Sequence, residues 1–242
     1  MTEKAKQNDV MDMLRREITR YEKPENLLNY QRFFKEQLDD PIGLKTAILR
    51  KISGSVFTSV KHLPAPEIFA LCDRLLTSRE RYTRFLAFDW ALRIDRHYCP
   101  QDMKRFERWL KRNVDGWASC DHLCTGPIGR LILQFPDLTA KTKTWAPSKN
   151  RWLRRASAVS LIISARKGFL LDDVFATADL LLLDPDDMVQ KGYGWMLKEA
   201  SRQHPQEVFH YVMKHRDKMP RTALRYAIEK LPPPRRRQAM SK

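Results

Sequence analysis

Asp186-Asp-Met-Val-Gln-Lys-Gly-Tyr-Gly-Trp-Met-Leu-Lys-Glu-Ala200 lies between two proline joints, Asp184-Pro185 and His204-Pro205. Val189, Gly192, Tyr193, Met196 and Ala200 recur at the three- and four-residue steps of one helical face. Trp195 falls off that face, at an azimuth shared with Lys191, Lys198 and Arg202. Gly192 and Gly194 each lower helix propensity by about 1 kcal/mol relative to Ala, which points to close approach by a neighbouring helix or a ligand.

The same organisation extends in both directions. Helical periodicity predicts elements at roughly 7–22, 25–38, 43–53, 65–77, 79–94, 100–113, 117–134, 149–165, 171–183, 186–203, 205–216 and 219–230. Pro41, Pro64-Ala-Pro66, Pro100 and Met219-Pro220 punctuate them, several at positions suited to a first helical turn. The chain has only 8 Gly, and the alternation expected of strands is scarce. About a dozen helices joined by short loops predict an all-α fold, an α-solenoid of HEAT or armadillo type. No strict internal repeat is visible, and a compact all-α bundle is the alternative. Residues 1–230 read as a single domain. Leu231-Pro-Pro-Pro-Arg-Arg-Arg-Gln-Ala-Met-Ser-Lys242 reads as a disordered basic tail.

The 242 residues carry 45 Lys plus Arg against 29 Asp plus Glu, a net charge of +16. Such a charge predicts attraction to a polyanion, with nucleic acid ahead of an acidic membrane surface or an acidic protein. The basic residues are interspersed with acids along the chain, so a basic face on a folded body fits better than a charged tail. No apolar run reaches the ~18 residues of a membrane span, and the first residues lack a secretory apolar segment. Four cysteines, Cys72, Cys99, Cys120 and Cys124, fit a reducing cytosol. Cys120, His122 and Cys124 match no usual zinc spacing, so neither metal nor cofactor is expected.

Trp117-Ala-Ser-Cys-Asp-His-Leu-Cys-Thr-Gly-Pro-Ile128 carries the least expected residue. On a helix, Trp117, Asp121, Cys124 and Ile128 share one apolar stripe, which places a carboxylate where burial is costly without a partner. Asp121 could instead cap a following helix. Pro127 as a first-turn residue makes Thr125 or Gly126 the more natural cap, freeing Asp121 for a partner such as Arg155. A third helix, Asn150-Arg-Trp-Leu-Arg-Arg-Ala-Ser-Ala-Val-Ser-Leu-Ile-Ile163, has Trp152, Ala156, Val159 and Ile163 inward. Arg155 stands on the shoulder of that face, about 60° off its centre, with Arg151 one turn before it. A half-buried Arg needs a carboxylate or phosphate acceptor, or is a structural Arg with a snorkelling stem. Trp195 within a basic stripe is either a stacking platform or a Trp half-covered by the next repeat. If neighbouring repeats stack, these groups could converge on one concave surface.

Trp117-x-x-x-Asp121, Asn150-x-Trp152-x-x-Arg155-Ala156 and Gln190-Lys-Gly-x-Gly-Trp195-x-Leu-x-Glu199 resemble the signature segments of AlkD-like DNA alkylation-repair proteins. The resemblance is specific from about 115 to 200, and helix order extends it over most of the chain. It implies a right-handed solenoid of HEAT-like repeats with a concave basic face. It implies a cytosolic glycosylase that removes positively charged N3- and N7-alkylated purines, such as 3-methyladenine and 7-methylguanine, from double-stranded DNA; the sequence carries no oligomer signal, and a monomer is the default.

By the same resemblance Asp121 is the catalytic carboxylate. Trp117 and Trp195 hold the lesion nucleotide, and Arg155 grips the DNA backbone beside it. Arg151, Arg154, Lys191, Lys198 and Arg202 would anchor phosphates. Asn29-Tyr30-Gln-Arg-Phe-Phe-Lys-Glu36 is similar to a segment whose Tyr approaches DNA, which adds Tyr30. The following Leu38-Asp-Asp-Pro-Ile-Gly-Leu-Lys45 departs from the family in length and residues. Two rivals stand beside this reading: a non-catalytic paralogue that binds bent or damaged DNA, and a solenoid scaffold for an acidic protein.

Overall fold

The computed structural model describes residues 3–21, 44–78 and 80–241. The described residues form helices and turns, with no strand among them. The helix expected at 25–38, and Tyr30 within it, lie outside the described residues. The chain divides into two compact units, Met1–His97 and Tyr98–Lys242.

The first unit contains α1 (Glu3–Thr19), α2 (Thr46–Phe57), α3 (Ala65–Leu75) and α4 (Arg81–Arg93). α4 packs on both α2 and α3, and α1 packs on α2. Leu14, Ile52, Ile68, Leu75, Leu86, Phe88 and Trp90 are fully buried there. A polar clasp joins α2 to α4: Ser53 Oγ donates to Asp89 Oδ2 at 2.5 Å, and Trp90 Nε1 donates to the Ser53 carbonyl at 3.3 Å.

The second unit runs through α5 (Asp102–Asn113), α6 (Trp117–Leu123), a π-turn (Cys124–Ile128), α7 (Gly129–Gln134) and α8 (Thr139–Lys143). It continues with α9 (Arg151–Val159), α10 (Ile162–Arg166), α11 (Leu171–Leu181), α12 (Asp187–Ala200), α13 (Pro205–His215), α14 (Arg221–Ile228) and α15 (Pro233–Met240). One set of helices forms a row in which α6 packs on α9, α9 on α12 and α12 on α14. The intervening helices make a second layer. There α8 meets α11, Phe175 of α11 stacks on Tyr211 of α13 at 4.8 Å, and α13 meets α15. Two layers of helices, each stacked in chain order, are the organisation of helical repeats.

The glycines of α12 make this stacking possible. They stand about 200° apart around the helix, so each faces a different neighbour. A Cβ on Gly192 would lie 3.2 Å from Arg155 Cγ of α9. A Cβ on Gly194 would lie 2.8 Å from the Ala223 carbonyl oxygen and 2.7 Å from Tyr226 Cβ, both on the α14 side. Close approach is therefore by neighbouring helices on both faces.

Three expectations are corrected. The helix predicted over 149–165 is divided into α9 and α10. The helix predicted over 117–134 is interrupted: Gly126 leaves helical geometry (φ −96°, ψ −109°) and Pro127 follows it. A proline without an N–H and a glycine with a mobile backbone favour such a wide turn. The tail predicted as disordered contains α15. Pro232, Pro233 and Pro234 occupy its start, where a fixed φ suits the helix and a missing N–H costs nothing. Arg216 Nη1 donates to the Gln238 and Ser241 carbonyls at 3.0 and 3.2 Å, and Ala239 is buried.

Candidate active site

Asp121 sits in the last turn of α6, immediately before the π-turn. Thr125 Oγ1 donates to its carbonyl oxygen at 2.7 Å and ties the turn to the helix. One turn earlier, Trp117 is 41% exposed. Residues at i and i+4 are neighbours on a helix surface, so a solvent-facing indole stands beside the carboxylate.

Arg155 reaches Asp121 from α9. Its Nε donates to Oδ1 and its Nη2 to Oδ2, both at 2.8 Å, the bidentate geometry of an ionised pair. Arg155 Nη1 donates to the Met188 carbonyl at the start of α12. The side chain is 6% exposed against 16% for Asp121. Burial pushes the Asp121 carboxyl above its ordinary range, and the hydrogen bonds and charge of Arg155 pull it back only in part. For Arg155, burial works against the charge and Asp121 outweighs it, so the guanidinium stays cationic. A shoulder position that looked half-buried is fully buried because Gly192 opens a slot for the side chain. Trp195, three residues beyond Gly192 and half-buried, lies on an adjoining face of α12.

The other predicted phosphate contacts all carry carboxylate partners. Arg151 meets Asp186 at 2.9 Å and lies over the Trp152 ring at 5.0 Å. Lys191 meets Asp187 at 2.6 Å, Lys198 meets Glu229 at 3.0 Å, and Arg202 meets Glu199 at 2.7 Å. Arg154 is held most tightly: Nε donates to Asp184 Oδ2 at 2.6 Å, and Nη1 to the Ser148 and Lys149 carbonyls. Arg154 is thus built into the loop before α9 rather than presented outward. In the sequence Asp184 stands out only as part of a proline joint, and Asp186 only as the start of the helical stretch. Asp186 does cap α12, accepting from Met188 N at 2.8 Å, and it serves Arg151 as well. The Met188 carbonyl left no signal, since any residue type supplies one.

Cys120 and Cys124 are buried. Burial, then Cys124, pushes the Cys120 thiol well up, which keeps it protonated as a core side chain. Among the described residues no group of three or more His, Cys, Asp or Glu side chains could hold a metal ion. No helix among them is long and apolar enough to cross a membrane.

A stacked-helix scaffold holding a buried Arg–carboxylate pair beside an exposed tryptophan defines a helical-repeat protein with a buried ion pair at its candidate site. Residues 14–231 match the family described as DNA alkylation repair enzyme, and the chain belongs to that family. Among solved structures, it is similar to a predicted DNA alkylation repair enzyme from Enterococcus faecalis, with TM-score 0.77 and 16% identity over 88% of this chain and 97% of that one. It is also similar to AlkD2 from Streptococcus mutans, with TM-score 0.58 and 14% identity over 90% of this chain and 99% of that one. At such identities the likeness is one of fold, and it establishes the all-α helical solenoid. No curated protein matches the sequence.

Proposed function

We propose that the protein is a cytosolic DNA glycosylase that excises N3- and N7-alkylated purines from double-stranded DNA, acting as a monomer. The observation that carries this reading is the Asp121 site: a carboxylate raised by burial, fixed bidentately by one arginine, and one turn from an exposed indole.

Alkylation at N3 or N7 makes the purine cationic and a good leaving group. Breaking the glycosidic bond leaves oxocarbenium-like charge on the sugar. A fixed carboxylate of low solvation stabilises that charge strongly, and in this mechanism it orients and deprotonates the attacking water. Trp117 and Trp195 hold the sugar and the cationic base through their faces. Arg155 acts as a positioning residue, because its donors are committed to Asp121 and Met188 and its side chain is buried. Arg151, Lys191 and Arg202 supply phosphate contacts by exchanging their carboxylate partners, while Arg154 supports the loop and Lys198 holds Glu229.

The test is base release from methylated duplex by wild type and Asp121→Asn in single turnover. Excision of 7-methylguanine should fall ~10²–10³-fold, the scale for losing one electrostatic stabiliser, with duplex binding retained. Equal excision by the variant removes Asp121 from the mechanism. Duplex binding by a wild type that releases no base would make the protein a non-catalytic DNA binder.

A further inference from the structure

α14 and α15 enclose an open cavity of ≈ 420 Å³, within the ~300–1,000 Å³ usual for ligand clefts. Arg225 of α14 and Arg236 and Arg237 of α15 line it. No described carboxylate pairs with these three guanidinium groups. The acid in the wall, Glu229, is already engaged by Lys198 at 3.0 Å. This reverses the pattern at the Asp121 site, where each predicted phosphate-binding cation has an acidic partner. Like charges gathered without a counter-charge repel one another, and an anion between them relieves the repulsion. The remaining wall is apolar, with Ile228, Pro233 and Met240.

We propose that this groove binds a phosphate of a DNA strand at a distance from the lesion, with the adjoining sugar against the apolar wall. The inference rests on the reading of the protein as a DNA-binding repair enzyme. Guanidinium groups match phosphate oxygens in planar, paired hydrogen bonds. The position favours a strand over an acidic peptide. α14 continues the row that carries Asp121, Arg155 and Trp195, and the Lys198–Glu229 pair joins the groove wall to α12. Helices spaced about 8–10 Å apart put the groove roughly 25–30 Å along that row from Asp121. At about 3.4 Å per nucleotide of one strand, that is roughly eight nucleotides. The proline-started α15 thus turns an arginine run into one wall of a shaped site.

The test compares wild type with Arg225→Gln/Arg236→Gln/Arg237→Gln in binding an undamaged duplex of about 30 base pairs, read by fluorescence anisotropy across a salt series. The slope of log K against log salt should become shallower by about one, because each phosphate contact contributes ~0.9. The single variant Arg225→Glu, which leaves α15 untouched, should shift the slope in the same direction. A control of equal charge loss, Lys167→Gln/Lys214→Gln/Lys218→Gln, should leave it unchanged. On a duplex reaching only about five base pairs to either side of the lesion, the triple variant and wild type should coincide. An unchanged slope in the triple variant overturns the proposal, as does an equal loss in the control. Pyrophosphate binding that the triple variant loses while its DNA slope stays unchanged shows a free-anion site and also overturns it. Base release is read separately: a wild type that releases no base but keeps the slope difference loses the glycosylase reading and retains the groove.

Discussion

Asp121 and Glu199 are both carboxylates on the row formed by α6, α9, α12 and α14, both withdrawn from water and both paired with arginine, yet they hold their protons differently. Burial pushes Glu199 up, but hydrogen bonds from Arg202 and Arg166 outweigh it and hold the carboxyl below its ordinary range. Those two arginines are half in solvent, with side chains 44% and 53% exposed, so they keep much of their hydration. Asp121 has one arginine, itself buried, and burial wins. A carboxylate with two well-solvated cations is a structural tie. One with a single buried cation and an exposed tryptophan beside it is the arrangement on which the proposed catalytic role rests.

The sharpest way to break this contrast is to neutralise each acid in turn. Asp121→Asn should lose ~10²–10³ in excision, whereas Glu199→Gln should stay within about twofold and instead lose ~1–3 kcal/mol of stability with its charged hydrogen bonds. Single-turnover base release and thermal denaturation separate the two. Comparable excision losses in both variants would mean that the carboxylates are equivalent.

The pH dependence of stability should also run in opposite directions. Glu199 has a folded pKa below its unfolded one, so its stabilisation is present above the unfolded value near 4.5 and is lost as pH falls through the folded value. Asp121 has a folded pKa above its unfolded one near 3.8. Its contribution is greatest below that value and declines as pH rises through the folded one. The stability advantage of wild type over Glu199→Gln should therefore shrink on acidification. Its advantage over Asp121→Asn should shrink as pH rises out of the acid range. Denaturation curves between about pH 3 and 7 would show the crossing, and parallel trends would refute the assignment.

The two glycines of α12 offer a smaller and cleaner separation. Gly192→Ala places a methyl against the Arg155 side chain, which can yield, but only by moving the group that holds Asp121. Excision should fall about tenfold, since sub-ångström displacement of a reacting group is already costly. Stability should change little, because ~1 kcal/mol of helix propensity offsets the crowding. Gly194→Ala meets the Ala223 backbone, which cannot yield. It should cost ~1–3 kcal/mol of stability with the excision rate at saturating DNA unchanged.

Much of this arrangement was legible in the sequence because helices advertise their periodicity and prolines their starts. Helix order, and the pairing of Asp121 with Arg155, followed from which face each residue occupied. The interruption at 124–128 was visible as Thr125-Gly126-Pro127, although its π geometry depends on tertiary packing. α15 was less legible, because a proline run stops a helix that precedes it and starts one that follows it, and sequence alone does not choose between the two. The partners of the basic residues were the least legible. Asp184, Asp186 and Asp187 precede or begin α12 and serve arginines on α9 and a lysine on α12 itself. Such long-range pairing has no signature in local spacing.

Lys191 and Arg154, both assigned to phosphates on sequence grounds, carry that lesson into the smallest expected effect. Lys191 pairs with Asp187 across a solvent-facing turn, at side-chain exposures of 31% and 55%. An exposed pair of this kind is worth at most about 1 kcal/mol, so a phosphate can displace the acid readily. Arg154 is 17% exposed against an Asp184 that is 6% exposed, and it also holds two carbonyls. Withdrawing it leaves buried acceptors unpaired. Lys191→Gln should therefore make the salt dependence of duplex binding shallower by about one while the melting temperature stays put. Arg154→Gln should do the reverse, losing ~1–3 kcal/mol of stability with an unchanged slope. A change of slope in Arg154→Gln would mean that the loop before α9 opens toward DNA, and the division between supporting and contacting cations would have to be redrawn at that loop.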